Sequence, residues 1–204
     1  MKRIITMSAR LLFVATLFQV VLKPSMAVAH LVTTGMGPVY DGIGHLLLTP
    51  EDLVPALAVA LYAGMQGTAP GRRTLFLFPL AWLLGGFIGL FIGGQSVVWL
   101  PALSFIILGA LISADLRLPT NGFTLLTVAV GFVHGFFNGV ALKQGAGALG
   151  LIGIMTVLFI LMALISAFVV SLKRPWTRIV VRVSGSWMAA IGMLMIGWFI
   201  RGQG

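Results

Sequence analysis

Residues 122–142 read GFTLLTVAVGFVHGFFNGVAL. A helix needs about 20 predominantly apolar residues to cross a bilayer, and this stretch meets that length without a charged side chain. Its apolar residues do not alternate as those of a membrane strand would. Comparable runs lie at 50–66, 74–94, 97–113, 148–172 and 184–200. The sequence therefore predicts an all-α polytopic membrane protein, a bundle of six transmembrane helices joined by short connections.

Composition points the same way. Of 204 residues, 59% are hydrophobic and 8% charged, and the mean hydropathy is +1.11. Soluble domains carry about 25% charged residues, so a soluble enzyme or a disordered chain is a poor reading. The net charge of +9 does not indicate nucleic acid, because the basic residues sit between apolar runs, as in the cytoplasmic loops of membrane proteins. There is no cysteine, which excludes thiolate metal sites, iron–sulfur clusters and cysteine nucleophiles.

Lys2, Arg3 and Arg10 precede or open the apolar run Leu11–Leu22, which is followed by Lys23-Pro24-Ser25 and Ala27-Val28-Ala29. This is the order of a cleavable signal peptide, and the run is short for a span. Cleavage after Ala29 divides the chain into a signal peptide (1–29) and a six-helix transmembrane domain (30–204), with His30 first in the mature protein. An uncleaved anchor is the alternative. With the N terminus exported, Arg72, Arg73, Arg117, Lys173, Arg174, Arg178 and Arg182 fall inside, and only Lys143 and Arg201 outside. That bias fits a bacterial-type inner (plasma) membrane with both mature termini periplasmic or exterior.

Glycines recur four apart at Gly85, Gly89 and Gly93, and again at Gly131, Gly135 and Gly139. Such stripes let helices approach closely, which places the second and fourth spans at the bundle centre. Polar residues are few and grouped. His30, Asp41, His45, Glu51 and Asp52 fall within residues 30–52, leaving only Asp115 and His134 elsewhere among acids and histidines. Asp115 sits in a loop near Arg117.

Thr49-Pro50-Glu51-Asp52 has the chemistry of a helix start: a capping residue, a first-turn proline and acids at the positive end of the dipole. The apolar residues 42–48 before it suggest irregular backbone dipping into the membrane, where carboxylates need a partner. His134 and Asn138 are four apart on one face, in the outer half of their span, at the level where the first span begins. They serve either as packing residues or as part of a site. His45, Glu51, Asp52, His134 and Asn138 together offer nitrogen and oxygen donors that suit a borderline divalent cation such as nickel, cobalt or zinc. An N-terminal His30 would add an amine and an imidazole, a chelate suited to copper or nickel.

These positions resemble the HupE/UreJ family of small bacterial membrane proteins, regarded as nickel/cobalt permeases. In that family a first-span His is followed six and seven residues later by Asp-His. Here the stretch runs from His45 to Glu51-Asp52, with Glu and Asp in those two places. The family's His-Gly pair in the fourth span is His134-Gly135, and Asn138-Gly139 stands where a second His-Gly often follows. The resemblance implies about six spans, an exported N terminus and a nickel or cobalt ion as substrate.

Two functions follow as expectations. One is a permease passing a divalent transition metal, with nickel or cobalt favoured and zinc or copper as alternatives. The other is a non-transporting membrane subunit or assembly factor of a larger metalloenzyme or redox complex. The expected partners are the lipid bilayer, the metal ion and other membrane subunits, with no nucleic acid and no organic cofactor. An intramembrane enzyme is disfavoured, since neither Gly-x-Ser-x-Gly nor His-Glu-x-x-His occurs. Lys143 and Lys173 lie at helix ends, which argues against a retinal Schiff base.

Overall fold

The computed structural model describes residues 33–94, 97, 99–172 and 174–202. Among them are seven α-helices and no strand: α1 (Pro38–Leu48), α2 (Pro50–Gln66), α3 (Thr68–Ile92), α4 (Leu100–Ser113), α5 (Thr120–Leu142), α6 (Gly147–Ser171) and α7 (Pro175–Arg201). The signal peptide, its cleavage site and His30 lie outside the described residues.

Helices α2 to α7 overlap the six predicted runs, though α3 begins six residues and α7 nine residues ahead of its run, which places Arg72, Arg73, Arg178 and Arg182 within helices. Of these, α3, α5, α6 and α7 are individually long and apolar enough to cross a membrane. The 17 residues of α2 and the 14 of α4 rise only ~26 and ~21 Å, against a hydrocarbon thickness of about 30 Å. Helix α1 was not expected. Residues 42–48 are helical rather than irregular, and α1 and α2 together form a span-length pair bent by 79°. The bend has a local cause. Pro50 lacks an amide hydrogen, and its ring drives Thr49 out of the helical region to φ −106°, ψ 90°. The Thr49 hydroxyl makes no cap. Its carbonyl starts α2 instead, accepting from the amides of Asp52 and Leu53 at 3.1 and 3.0 Å.

Both glycine stripes lie where α3 and α5 pack on each other. A methyl group added at Gly85 or Gly89 would collide with the carbonyl of Phe132 or Phe136, and one at Gly135 or Gly139 with the backbone of Trp82 or Gly86. Gly93 has a different role, ending α3 at φ +74°, a conformation that glycine adopts freely. Helix α6 shares the centre of the bundle, touching α1, α2, α3 and α5, while α7 packs on α4.

Trp82, Tyr62, Phe78, Leu108, Ile154 and Met162 are fully buried, while Phe91, Trp198, Leu194 and Leu125 are 70% or more exposed. A soluble protein rarely leaves so much large apolar surface uncovered, but lipid covers it at no cost.

Candidate functional site

The break at Thr49 puts Asp52 in the first turn of α2, from which its carboxylate reaches α5. Oδ1 lies 2.8 Å from His134 Nδ1, and Oδ2 accepts a 2.7 Å hydrogen bond from Asn138 Nδ2. The four-residue spacing on α5 stacks His134 and Asn138 on one face, so one carboxylate engages both. On the far side of the ring, His134 Nε2 lies 2.9 Å from the hydroxyl of Ser104 on α4. The indole of Trp82 on α3 stacks on the imidazole at 5.7 Å and 23°. Four helices thus converge on His134.

Donor and acceptor roles follow from the partners. An ionised Asp52 only accepts, so His134 Nδ1 carries a proton, and in the neutral ring Nε2 is left to accept from Ser104. The Asn138 amide is oriented in the same way. Its Nδ2 also donates to the His134 carbonyl at 3.2 Å, and a flip would set Oδ1 against the carboxylate. Asn138 Oδ1 is therefore left buried without a partner, as is Trp82 Nε1. His134 and Asn138 are each 2% exposed, and the Asp52 side chain 14%. Among the described residues, no lysine or arginine is bonded to Asp52.

Of the sequence-predicted residues, Asp52, His134 and Asn138 are thus brought together. Glu51 is exposed and lines a separate cavity of about 530 Å³ with Trp99, Ala102, Met195, Trp198 and Phe199. It adjoins Asp52 in the sequence but is not bonded to Asp52 or His134. His45 is buried in α1 within electrostatic range of Asp52, and no hydrogen bond joins it to the cluster. Among the described residues, no three His, Asp or Glu side chains converge as a metal-holding group. Ser104 and Trp82 had not been singled out. Ser104 is the only hydroxyl among residues 100–112 of α4, and that isolation was its one available signal.

The second acidic feature lies at the other end of α2. Asp115, at φ +53°, takes a bidentate pair from Arg178 Nε and Nη2 at 2.7 and 2.6 Å. The partner is thus Arg178 rather than the neighbouring Arg117. Arg182 Nε donates to the Ser113 carbonyl at 2.9 Å. Tyr62 and Gln66 of α2 both donate to the Leu116 carbonyl, at 2.9 and 2.8 Å. These bonds hold the α4–α5 connection to α2 and α7. The Arg178 hydrogen bonds keep the Asp115 carboxyl below its ordinary value, against the opposing effect of partial burial.

Comparison with curated proteins and with solved structures gives no significant match to either. The family comparison does match: residues 18–195 fit the HupE / UreJ protein family. That range takes in α1 to α6, most of α7 and every residue of the Asp52–His134 cluster. The chain is thus a multi-pass membrane protein that belongs to the HupE/UreJ family.

Proposed function

We propose that this protein is an inner-membrane permease for a divalent transition metal, nickel or cobalt above all, with its cation site built on Asp52, His134 and Asn138. Members of the family are membrane transport or accessory proteins, and the chain is not an enzyme. In this reading α1 and α2 make one broken span and α4 a short one. That gives six spans behind an N terminus exported by signal-peptide cleavage after Ala29. The helix ends and loop that carry Arg72, Arg73, Arg117, Arg174, Arg178 and Arg182 face the cytoplasm, and the cluster lies in the outer half of the bilayer.

One observation carries the reading: a largely buried carboxylate whose bonded neighbours among the described residues are an imidazole and an amide, not a lysine or arginine. Burying such a charge is expensive unless something positive accompanies it. The N–H donors of His134 and Asn138 meet that need in part, and a divalent ion would meet it in full. The donors suit the ion. Asn138 Oδ1 has an unused lone pair, and His134 turns Nδ1 toward Asp52, so an ion that takes the place of the Nδ1 proton meets imidazole and carboxylate together while Nε2 keeps Ser104. Imidazole with two kinds of oxygen fits a borderline cation. His45 and Glu51 supply further donors nearby, and His30 would supply another outside.

The accessory reading, a subunit or assembly factor of a larger metalloenzyme or redox complex, draws its support from the short ligand set. Uptake of labelled nickel or cobalt by cells expressing the protein separates the two. A permease raises uptake on its own, and His134→Ala returns it to background with the protein still in the membrane. An accessory subunit leaves uptake unchanged and co-purifies with partners. Asp52→His, which restores the family's commoner residue, should raise nickel affinity in detergent calorimetry.

A further inference from the structure

Four buried side-chain polar atoms among the described residues have no hydrogen-bond partner: Asn138 Oδ1, Trp82 Nε1, Thr74 Oγ1 and Thr127 Oγ1. All belong to α3 or α5. Buried polar atoms are nearly always paired, so their concentration on one helix pair calls for a cause.

The register of the two helices locates them. Methyl groups added at Gly131, Gly135 and Gly139 would strike the backbones of Phe78, Trp82 and Gly86, each pair lying 53 apart in the sequence. A step of four along α5 thus matches a step of four along α3, and the helices run parallel. One turn closer to Arg72 and Arg73, the same register sets Thr127 beside Thr74. Thr127 takes the place in the stripe that glycine holds further along, and both threonines are 1% exposed.

Several other helical hydroxyls among the described residues return to their own backbone. Ser113 bonds the Ala110 carbonyl, Thr156 that of Ile152, Ser166 that of Met162 and Ser171 that of Phe168. That is how a helix ordinarily hides a hydroxyl. Thr74 and Thr127 make no such bond.

We propose that Thr74 and Thr127 form a second, inner polar station that receives a partly hydrated divalent cation after it leaves the Asp52–His134–Asn138 cluster. This rests on the transport reading and adds a route between α3 and α5. Hydroxyl oxygens stand in for hydration water without fixed charge, and a weak station beyond a stronger one lets an ion move on. From His134 to Thr127 is a step of about 10 Å along α5. Phe78 and Trp82, fully buried and edge to face at 5.6 Å, lie between the two levels on α3 and close the route in this conformation. Trp82 Nε1 only donates, so it serves the water that travels with the ion rather than the ion itself.

The chain has no cysteine, so Thr74→Cys and Thr127→Cys each introduce its only thiol. In membranes, a small cationic methanethiosulfonate reagent should modify both, and nickel chloride should slow the reaction several-fold. Leu158→Cys, at a fully buried position on α6, is the unreactive control. Thiols at 74 and 127 as inert as the one at 158 would overturn the station, because a dry packing contact admits no hydrophilic reagent. The shape-matched double variant Thr74→Val/Thr127→Val should lose nickel uptake while calorimetric nickel binding to the purified protein stays at the wild-type value. The double serine variant should keep both. Wild-type uptake by the valine variant overturns the station and leaves the outer site standing. A wild-type chain that neither binds nor carries nickel overturns the transport reading, and the station with it.

Discussion

Asp52 and Asp115 each take two short side-chain contacts, at 2.8 and 2.7 Å for Asp52 and 2.7 and 2.6 Å for Asp115. Their partners differ in kind. Asp115 faces a guanidinium whose charge is permanent and whose two donors match the two carboxylate oxygens. That pair is complete, and its side chains are 24% and 41% exposed. Asp52 faces an imidazole and an amide in a nearly closed interior, and the amide brings an acceptor with nothing to accept. The first arrangement holds a loop. The second leaves the carboxylate without a permanent countercharge and the amide oxygen without a partner, as the proposed cation site requires. The number of hydrogen bonds on a carboxylate is thus a poor guide to its role. What matters is whether its charge is answered by something that cannot leave.

Substitutions should separate the two clusters by size and kind of effect. The largest loss belongs to His134→Ala, which removes the nitrogen donor and empties the space under Trp82. Cation affinity by calorimetry should fall by about 100-fold or more, since even outer partners of metal ligands cost 10–100-fold. Asp52→Asn should come next, at about 10–100-fold in affinity. It keeps the shape of the side chain but removes the charge and gives His134 Nδ1 a weaker acceptor. Ser104→Ala should be milder. A neutral hydrogen bond is worth about 1 kcal/mol net, and losing it loosens the ring without removing a donor on the Asp52 side. A few-fold change in affinity, in either direction, is expected. If Ser104→Ala were to cost as much as His134→Ala, the serine would itself be a ligand.

Much of this comparison was legible in the sequence, and the remainder fails for identifiable reasons. Apolar length marked α2 to α7, because bilayer thickness is a fixed yardstick. Spacing put His134 and Asn138 on one face, and depth put them level with Asp52. Adjacent residues on a helix point about 100° apart, so Glu51 and Asp52 were never able to face α5 together, and only Asp52 does. Ser104 left only its isolation in an apolar run as a signal, a weak one, since a lone hydroxyl there usually bonds its own backbone. The Arg178–Asp115 pair spans 63 residues, a pairing that proximity to Arg117 concealed. The α1 helix was hidden because short apolar runs read alike whether helical or irregular; only Pro50 marked where the chain must bend.

The smallest effect belongs to the clasp, and pH gives it a sign. Its hydrogen bonds to Arg178 hold Asp115 below its ordinary value of 3.8. A carboxyl depressed in the folded state contributes stability that is complete above the unfolded value and is lost as pH falls through the folded one. Unfolding in detergent should therefore show Asp115→Asn less stable than wild type at neutral pH, by about 0.5–1 kcal/mol at most, because the pair is partly exposed and screened. The gap should close as pH falls below about 4. Cation affinity at neutral pH should not change, because nothing in this clasp reaches the Asp52 cluster at the far end of α2. A loss of affinity in Asp115→Asn would mean that the two ends of α2 move together, and the division between a holding carboxylate and a carrying one would have to be redrawn.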